Sequence, residues 1–345
     1  MAESSPAHAR FATWTAAVIQ ALVVFTALAV MLIASASLLA HAADHIADAT
    51  GIGRVWIGTI LLAGATSLPE LATDIAAVKI GAADLAAGDL FGSSMANMLV
   101  FAVVGLLLGR LTPPGRDAEV VSLAALAMLL NASAALFVMI RPTSLLFGVA
   151  PQSLLLAAIY CAGMYALYRS GVRSTRIAAV TTATSQRTRL YPALLQFSLA
   201  AAALLVIGKP FAESAVRLAE LSGLGVTLVG TLLVGVSTSL PELVTSIAAF
   251  RMGSSGLAVG NLFGSNAVNM VVFLAMDLAD RKGPIFAELD PSHSAIGLFA
   301  VMMMAIAAAV AVAPASRRAT LGRWLIVATY LLGVLWLQRS GSVVR

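Results

Sequence analysis

The stretch GTILLAGATSLPEL, Gly58 to Leu71, returns as GTLLVGVSTSLPEL, Gly230 to Leu243. Further on, GDLFGSSMANM (Gly88 to Met98) returns as GNLFGSNAVNM (Gly260 to Met270). Both copies stand at one offset of 172 residues, from 58 to 230 and from 88 to 260, without a gap. Between Gly58 and Phe101, 25 of 44 positions are identical to their partners, which makes the chain an internal repeat rather than a coincidence of composition.

The repeat lies in a very apolar chain of 345 residues, 60% hydrophobic and 11% charged. Mean hydropathy is +0.96. A soluble domain carries about 25% charged residues, so an ordinary globular enzyme is excluded and an all-α polytopic membrane protein is expected. Apolar runs of spanning length fall at 12–42, 55–79, 84–109, 119–140 and 145–168, then at 191–209, 225–250, 255–277, 293–314 and 321–338. Each exceeds or approaches the roughly 20 residues that cross a bilayer. The first run is longer than the apolar core of a secretion signal and reads as a span.

Ten transmembrane helices follow, in two halves. Residues 1–168 hold the first repeat core (56–105) and residues 191–345 the second (228–277), joined by the basic linker 169–190 with its five arginines. Five spans, an odd number, separate the copies, so they cross the membrane in opposite directions as inverted repeats. With the linker cytoplasmic, the cytoplasmic loops collect 12 of the 21 Lys and Arg residues and both termini lie outside the cell (inner) membrane. The net charge of +5 is scattered between apolar runs and aromatics are 6%, which fits contact with membrane lipid and excludes nucleic acid. Cys161 is the single cysteine, and the four histidines share no ligand spacing.

Polar residues recur at midspan, where they are costly in hydrocarbon. Glu70 and Glu242 each follow Thr-Ser-Leu-Pro. A proline has no N–H and biases the residue before it away from the helix. Helices two and seven should therefore be discontinuous. The break frees the carbonyls of Ala65 and Thr66, with Ala63 next in line, and in the second copy those of Ser237, Thr238 and Gly235. Ser93 and Asn97 share one helical face, as do Ser265 and Asn269. Gly88 with Gly92 and Gly260 with Gly264 form small-residue stripes for close packing. Carboxylates, carbonyls, hydroxyls and amides without thiolate or imidazole suit Na⁺ and Ca²⁺.

At these residues the sequence resembles the sodium/calcium exchanger family, within the cation/calcium antiporters. The resemblance implies alternating access, with Ca²⁺ held by Glu70, Glu242 and the carbonyls of Thr66 and Thr238. It implies Na⁺ positions at Ser67, Ser239, Ser93, Ser265 and the carbonyls of Ala63 and Gly235. The ions are substrates; no cofactor is expected. Members commonly carry aspartate at one of the positions filled here by Asn97 and Asn269, so the central charge is lower. Asp89 stands where asparagine is usual, and Asp74 lies one turn beyond Glu70. A proton-driven antiporter on the same fold is the alternative. A cation channel or passive sensor would be a different class, distinguished by currents far above carrier turnover. An intramembrane hydrolase lacks a histidine near Ser67 or Ser239.

Overall fold

In hydrocarbon every backbone polar group must be satisfied within its own segment or within a closed barrel, and this chain takes the helical solution. The computed structural model describes residues 6–109, 117–146, 148–175, 187–222, 239–279, 283–314 and 316–341. Among these, only Leu146 and Val149 form an isolated β-bridge, and all regular elements are helices. They are α1 (Pro6–Thr50), α2 (Arg54–Thr66), α3 (Leu68–Lys79), α4 (Ala83–Leu108), α5 (Asp117–Ile140) and α6 (Pro151–Thr175). The second part holds α7 (Arg187–Ser222), α8 (Leu240–Arg251), α9 (Ser255–Ala279), the single turn α10 (Ile285–Glu288), α11 (Ser292–Val312) and α12 (Arg317–Gly341).

Seven of the described helices are long and apolar enough to cross a membrane, or eight when the bent pair α2–α3 is counted as one span. The difference from ten has two sources. The first part of the expected seventh span falls in residues 223–238, outside the described residues, leaving only α8. Helix α6 spans 25 residues but is less apolar than its neighbours.

The core is built on α4 and α9, the two spans that repeat each other. Phe91 of α4 packs on Phe273 of α9 at 5.7 Å between ring centroids, and Phe101 packs on Phe263 at 5.9 Å. Phe91 and Phe263 are repeat partners, as are Phe101 and Phe273, so the two helices run antiparallel with reciprocal contacts. Helices α5 and α11 complete this apolar cluster. Polar ties fix its edges: buried Asp277 at the end of α9 accepts from the N–H groups of Ala150 (3.1 Å) and Ile285 (2.9 Å) and from Ser153. Asn131 donates to the Asn266 carbonyl at 3.0 Å.

Glycine sets the distance between α9 and α2. A Cβ on Gly260 would lie 2.3 Å from the Val55 carbonyl oxygen, and one on Gly264 would lie 2.7 Å from Thr59 Cα. The stripe read from sequence as a packing surface thus receives the backbone of the second span. Where α2 meets α9, residues Gly58–Leu62 form one π-helical turn.

A second apolar cluster joins α1 to α7 along Leu32, Ala36, Leu39 and Leu204, with Phe25 stacked on Phe211 at 5.1 Å. Their outer faces leave Val23, Val30, Leu195 and Val206 exposed. At its C-terminal end α1 is tied to the core by charge. Arg54 donates to Asp44 and Asp48, each at 2.7 Å, and to Ser254 at 3.0 Å, while Ser254 donates to Asp44.

Candidate functional site

The expected break is present. Helix α2 ends at Thr66, α3 begins at Leu68, and the axes differ by 43°. Ser67 between them has φ −85° and ψ 3°, outside the α region. Pro69 occupies the first turn of α3, where a missing N–H costs no helical bond. Glu70 is in the same turn, at the positive end of the half-helix dipole. The second repeat copies this: Ser239 has φ −87° and ψ 5°, with Pro241 and Glu242 in the first turn of α8.

Among the described residues no backbone N–H reaches the carbonyls of Gly64, Ala65 or Thr66. Ala63 differs from expectation. Its carbonyl accepts the N–H of Ser67 at 3.0 Å and has the Thr66 hydroxyl at 3.2 Å, so it is not freed by the break. The break comes one residue too late to free it. Thr238 and Gly235 lie outside the described residues.

The other nine expected ligands converge on the interior. Thr66, Ser67, Glu70, Ser93, Asn97, Ser239, Glu242, Ser265 and Asn269 are each at most 5% exposed. Glu70 lines one cavity with Pro241, the neighbour of Glu242. The Thr66 hydroxyl, with one proton to give, lies 3.2 Å from the Ala63 carbonyl and 3.3 Å from Asn261 Oδ1, and Asn97 donates to Asn266 Oδ1 at 2.9 Å, so both repeats share one centre.

What distinguishes these side chains is what they lack. Among the described residues, buried oxygens without a hydrogen-bond partner occur on Ser67, Glu70, Ser93 and Asn97, and again on Ser239, Glu242, Ser265 and Asn269. Every member of the first group matches one of the second across the repeat. Leaving a buried polar atom unsatisfied costs about 1–3 kcal/mol. Eight would cost roughly 8–24 kcal/mol, as much as the whole net stability of a domain, about 5–15 kcal/mol. Such a set calls for a ligand that takes lone pairs, which is a cation. Among the described residues no group of three or more His, Cys, Asp or Glu side chains is placed to hold a metal ion, so any ion here rests on fewer charged groups and on neutral oxygens. Two carboxylates with neutral oxygens suit a hard ion.

Sequence reasoning missed the π-helical turn at Gly58–Leu62, which no residue type in that run announces. It also gave Asp89 no role, although Asp74 and Asp89 line one cavity with Glu70.

Comparison with known proteins finds one family and one fold. The family profile described as "Sodium/calcium exchanger protein" matches residues 20–170 and 192–338. The sodium/calcium exchanger MaX1 of Methanosarcina acetivorans is 44% identical over 78 residues, 23% of this chain and 22% of MaX1. The chain thus matches under a quarter of that relative's length. The inner membrane protein YrbG of Escherichia coli is 28% identical over 264 residues, 76% of this chain and 79% of YrbG. Among solved structures, the sodium-calcium exchanger NCX_Mj, soaked with 2.5 mM Na⁺ and 10 mM Sr²⁺, superposes with a TM-score of 0.71 at 21% identity. That match covers 92% of this chain and 99% of the other.

Proposed function

Because the chain belongs to the sodium/calcium exchanger family, whose profile matches residues 20–170 and 192–338, we propose that it is a secondary antiporter moving Ca²⁺ against Na⁺ by alternating access. The observation that carries this reading is the set of eight buried oxygens without partners, arranged as four repeat-related pairs. Ca²⁺ takes six to eight oxygens, and two carboxylates balance its charge. Glu70 and Glu242 are the anionic ligands, the Thr66 and Thr238 carbonyls complete the Ca²⁺ site, and Ser67, Ser93, Ser239 and Ser265 serve Na⁺ together with Gly235. Asn97 and Asn269 add neutral oxygens. The family and fold are those of transporters and not of enzymes.

The architecture that goes with it is ten helices in two inverted five-helix repeats, 1–168 and 191–345, joined by the cytoplasmic linker 169–190. Reciprocal phenyl contacts between α4 and α9 and the matched Ser67 and Ser239 backbones support the inversion. Helices α1 and α7 form the part that slides, held to the rest through Arg54. The inner membrane is the expected location, with both termini outside and the apolar faces of α1 and α7 against lipid.

Asparagine at both 97 and 269 favours one second reading, in which protons replace Na⁺ as the driving ion. Ca²⁺ flux in proteoliposomes under Na⁺, K⁺ and proton gradients in turn separates the two. Glu70→Gln and Glu242→Gln should each abolish exchange, because one remaining carboxylate cannot offset a dehydrated divalent ion. Near-normal flux in either variant would remove the site from these residues.

A further inference from the structure

The two repeats are not chemically equal one turn away from their glutamates. In the second, Asn261 donates to Thr245 at 2.9 Å and to Ser246 at 3.2 Å, so α8 and α9 close on each other through neutral groups. The positions matching Ser246 and Asn261 in the first repeat hold Asp74 and Asp89. Neither carboxyl group has the amide N–H that makes this contact in the second repeat. Asp74 is 1% exposed, and its Oδ2 has no hydrogen-bond partner. Asp74, Asp89 and Glu70 line one cavity of about 110 Å³, closed on the other side by Leu32 of α1 and by Gly208 and Ala212 of α7. That volume holds a cation with a few waters.

We infer that Asp74 and Asp89 form a second cation site beside the central one, which takes a hard, oxygen-seeking cation between the central ligands and the α1/α7 side. The inference rests on the reading of the central oxygens as an ion path. An all-oxygen pair with two negative charges matches one divalent ion. The wall contributed by α1 and α7 places the site where movement of that pair would open or close it. Close contact marks the same seam: a Cβ on Gly208 would lie 2.8 Å from Pro69 Cβ at the helix break. Asymmetry between the repeats is then functional, since a waiting position on one face alone gives the two faces different ion affinities.

The test uses the purified full chain and equilibrium binding of radiolabelled Ca²⁺. Glu242 is not part of the cavity, so Glu242→Gln disables the centre and spares the aspartates. This variant should retain Ca²⁺ binding, and adding Asp74→Asn with Asp89→Asn should weaken it by about tenfold or more, as expected when ligand charge is removed. Asp74→Glu in the same background should keep it, and the double variant Glu242→Gln with Asp74→Asn reads the same loss if the triple variant fails to fold. Loss of all binding on Glu242→Gln alone leaves the central site standing and overturns the second. Equal binding by the Glu242→Gln and triple variants overturns it too. Binding untouched by Glu242→Gln but removed by the two asparagines upholds the second site while the central reading fails. A wild-type chain that binds no Ca²⁺ overturns both.

Discussion

Asn269 and Asn97 are repeat partners with different surroundings, and the difference decides how each can be probed. Asn97 donates to Asn266 Oδ1, and Asn266 donates to the Ser94 carbonyl at 3.1 Å. Aspartate at 97 would set a carboxylate against an acceptor that cannot turn without losing its other bond. Asn97 and Asn269 both have an unpartnered Oδ1, but among the described residues Asn269 makes no such bond to an amide oxygen, so Asn269→Asp adds charge to the centre without that conflict. Two unit charges about 4 Å apart interact by roughly 4 kcal/mol at an effective dielectric near 20, ample to reorder ion preference. Asn269→Asp should shift the Na⁺ concentration that half-inhibits Ca²⁺ uptake by about tenfold or more while transport survives, since tenfold needs only 1.4 kcal/mol. An unchanged competition curve would mean that the amide is a packing residue. Asn97→Asp should instead lower stability, read as a lower unfolding temperature.

At the scale of elements, α2 and α9 are held together by the absence of side chains. Interhelical packing in lipid gains little from the hydrophobic effect, so backbone proximity supplies the contact. Gly260→Ala forces the Val55 carbonyl aside and should cost about 1–3 kcal/mol, as overpacking does. Gly64→Ala, where a new Cβ meets nothing within 4 Å, should be neutral or slightly stabilising. Thermal unfolding of the two purified variants in one detergent checks the contrast, and equal stabilities would refute it. The sequence made the break legible, because proline chemistry fixes where a helix must stop. It also made the glutamates, serines and asparagines legible, because their cost in hydrocarbon admits few explanations. The fate of the Ala63 carbonyl was not, since it depends on whether Thr66 and Ser67 turn back one residue earlier or later. Nor was the joining of Asp74 and Asp89 in one cavity, which depends on how α3 lies against α4.

Across the whole molecule, inversion makes a demand that no single contact makes. Lys79 ends α3 and Arg251 ends α8, at repeat-related positions. Single cysteines at 79 and 251, on a background with Cys161 replaced, should react with a membrane-impermeant thiol reagent from opposite sides of sealed vesicles. Cys161 must go because it is exposed. Labelling of both positions from one side would refute the inverted arrangement. The halves of the chain were visible in the sequence because the offset of 172 residues needs no alignment. The pairing of α1 with α7 was not, since composition does not tell which apolar helix packs on which.

Helix α1 runs unbroken for 45 residues, about 67 Å at 1.5 Å per residue. From Trp14 to His41 it covers about 40 Å, against a hydrocarbon layer of roughly 30 Å. It can match that layer by leaning, about 40° from the membrane normal if leaning alone does it, against the usual 20° or so, or by thickening the bilayer around it. A change in lean as α1 moves would expose a different length of apolar surface in each state, so the bilayer becomes a party to the equilibrium. Exchange in vesicles of phosphatidylcholines of increasing acyl-chain length should pass through a maximum, and a flat response would mean that α1 keeps one angle throughout the cycle. Membrane thickness would then act on this protein as an effector that binds nowhere.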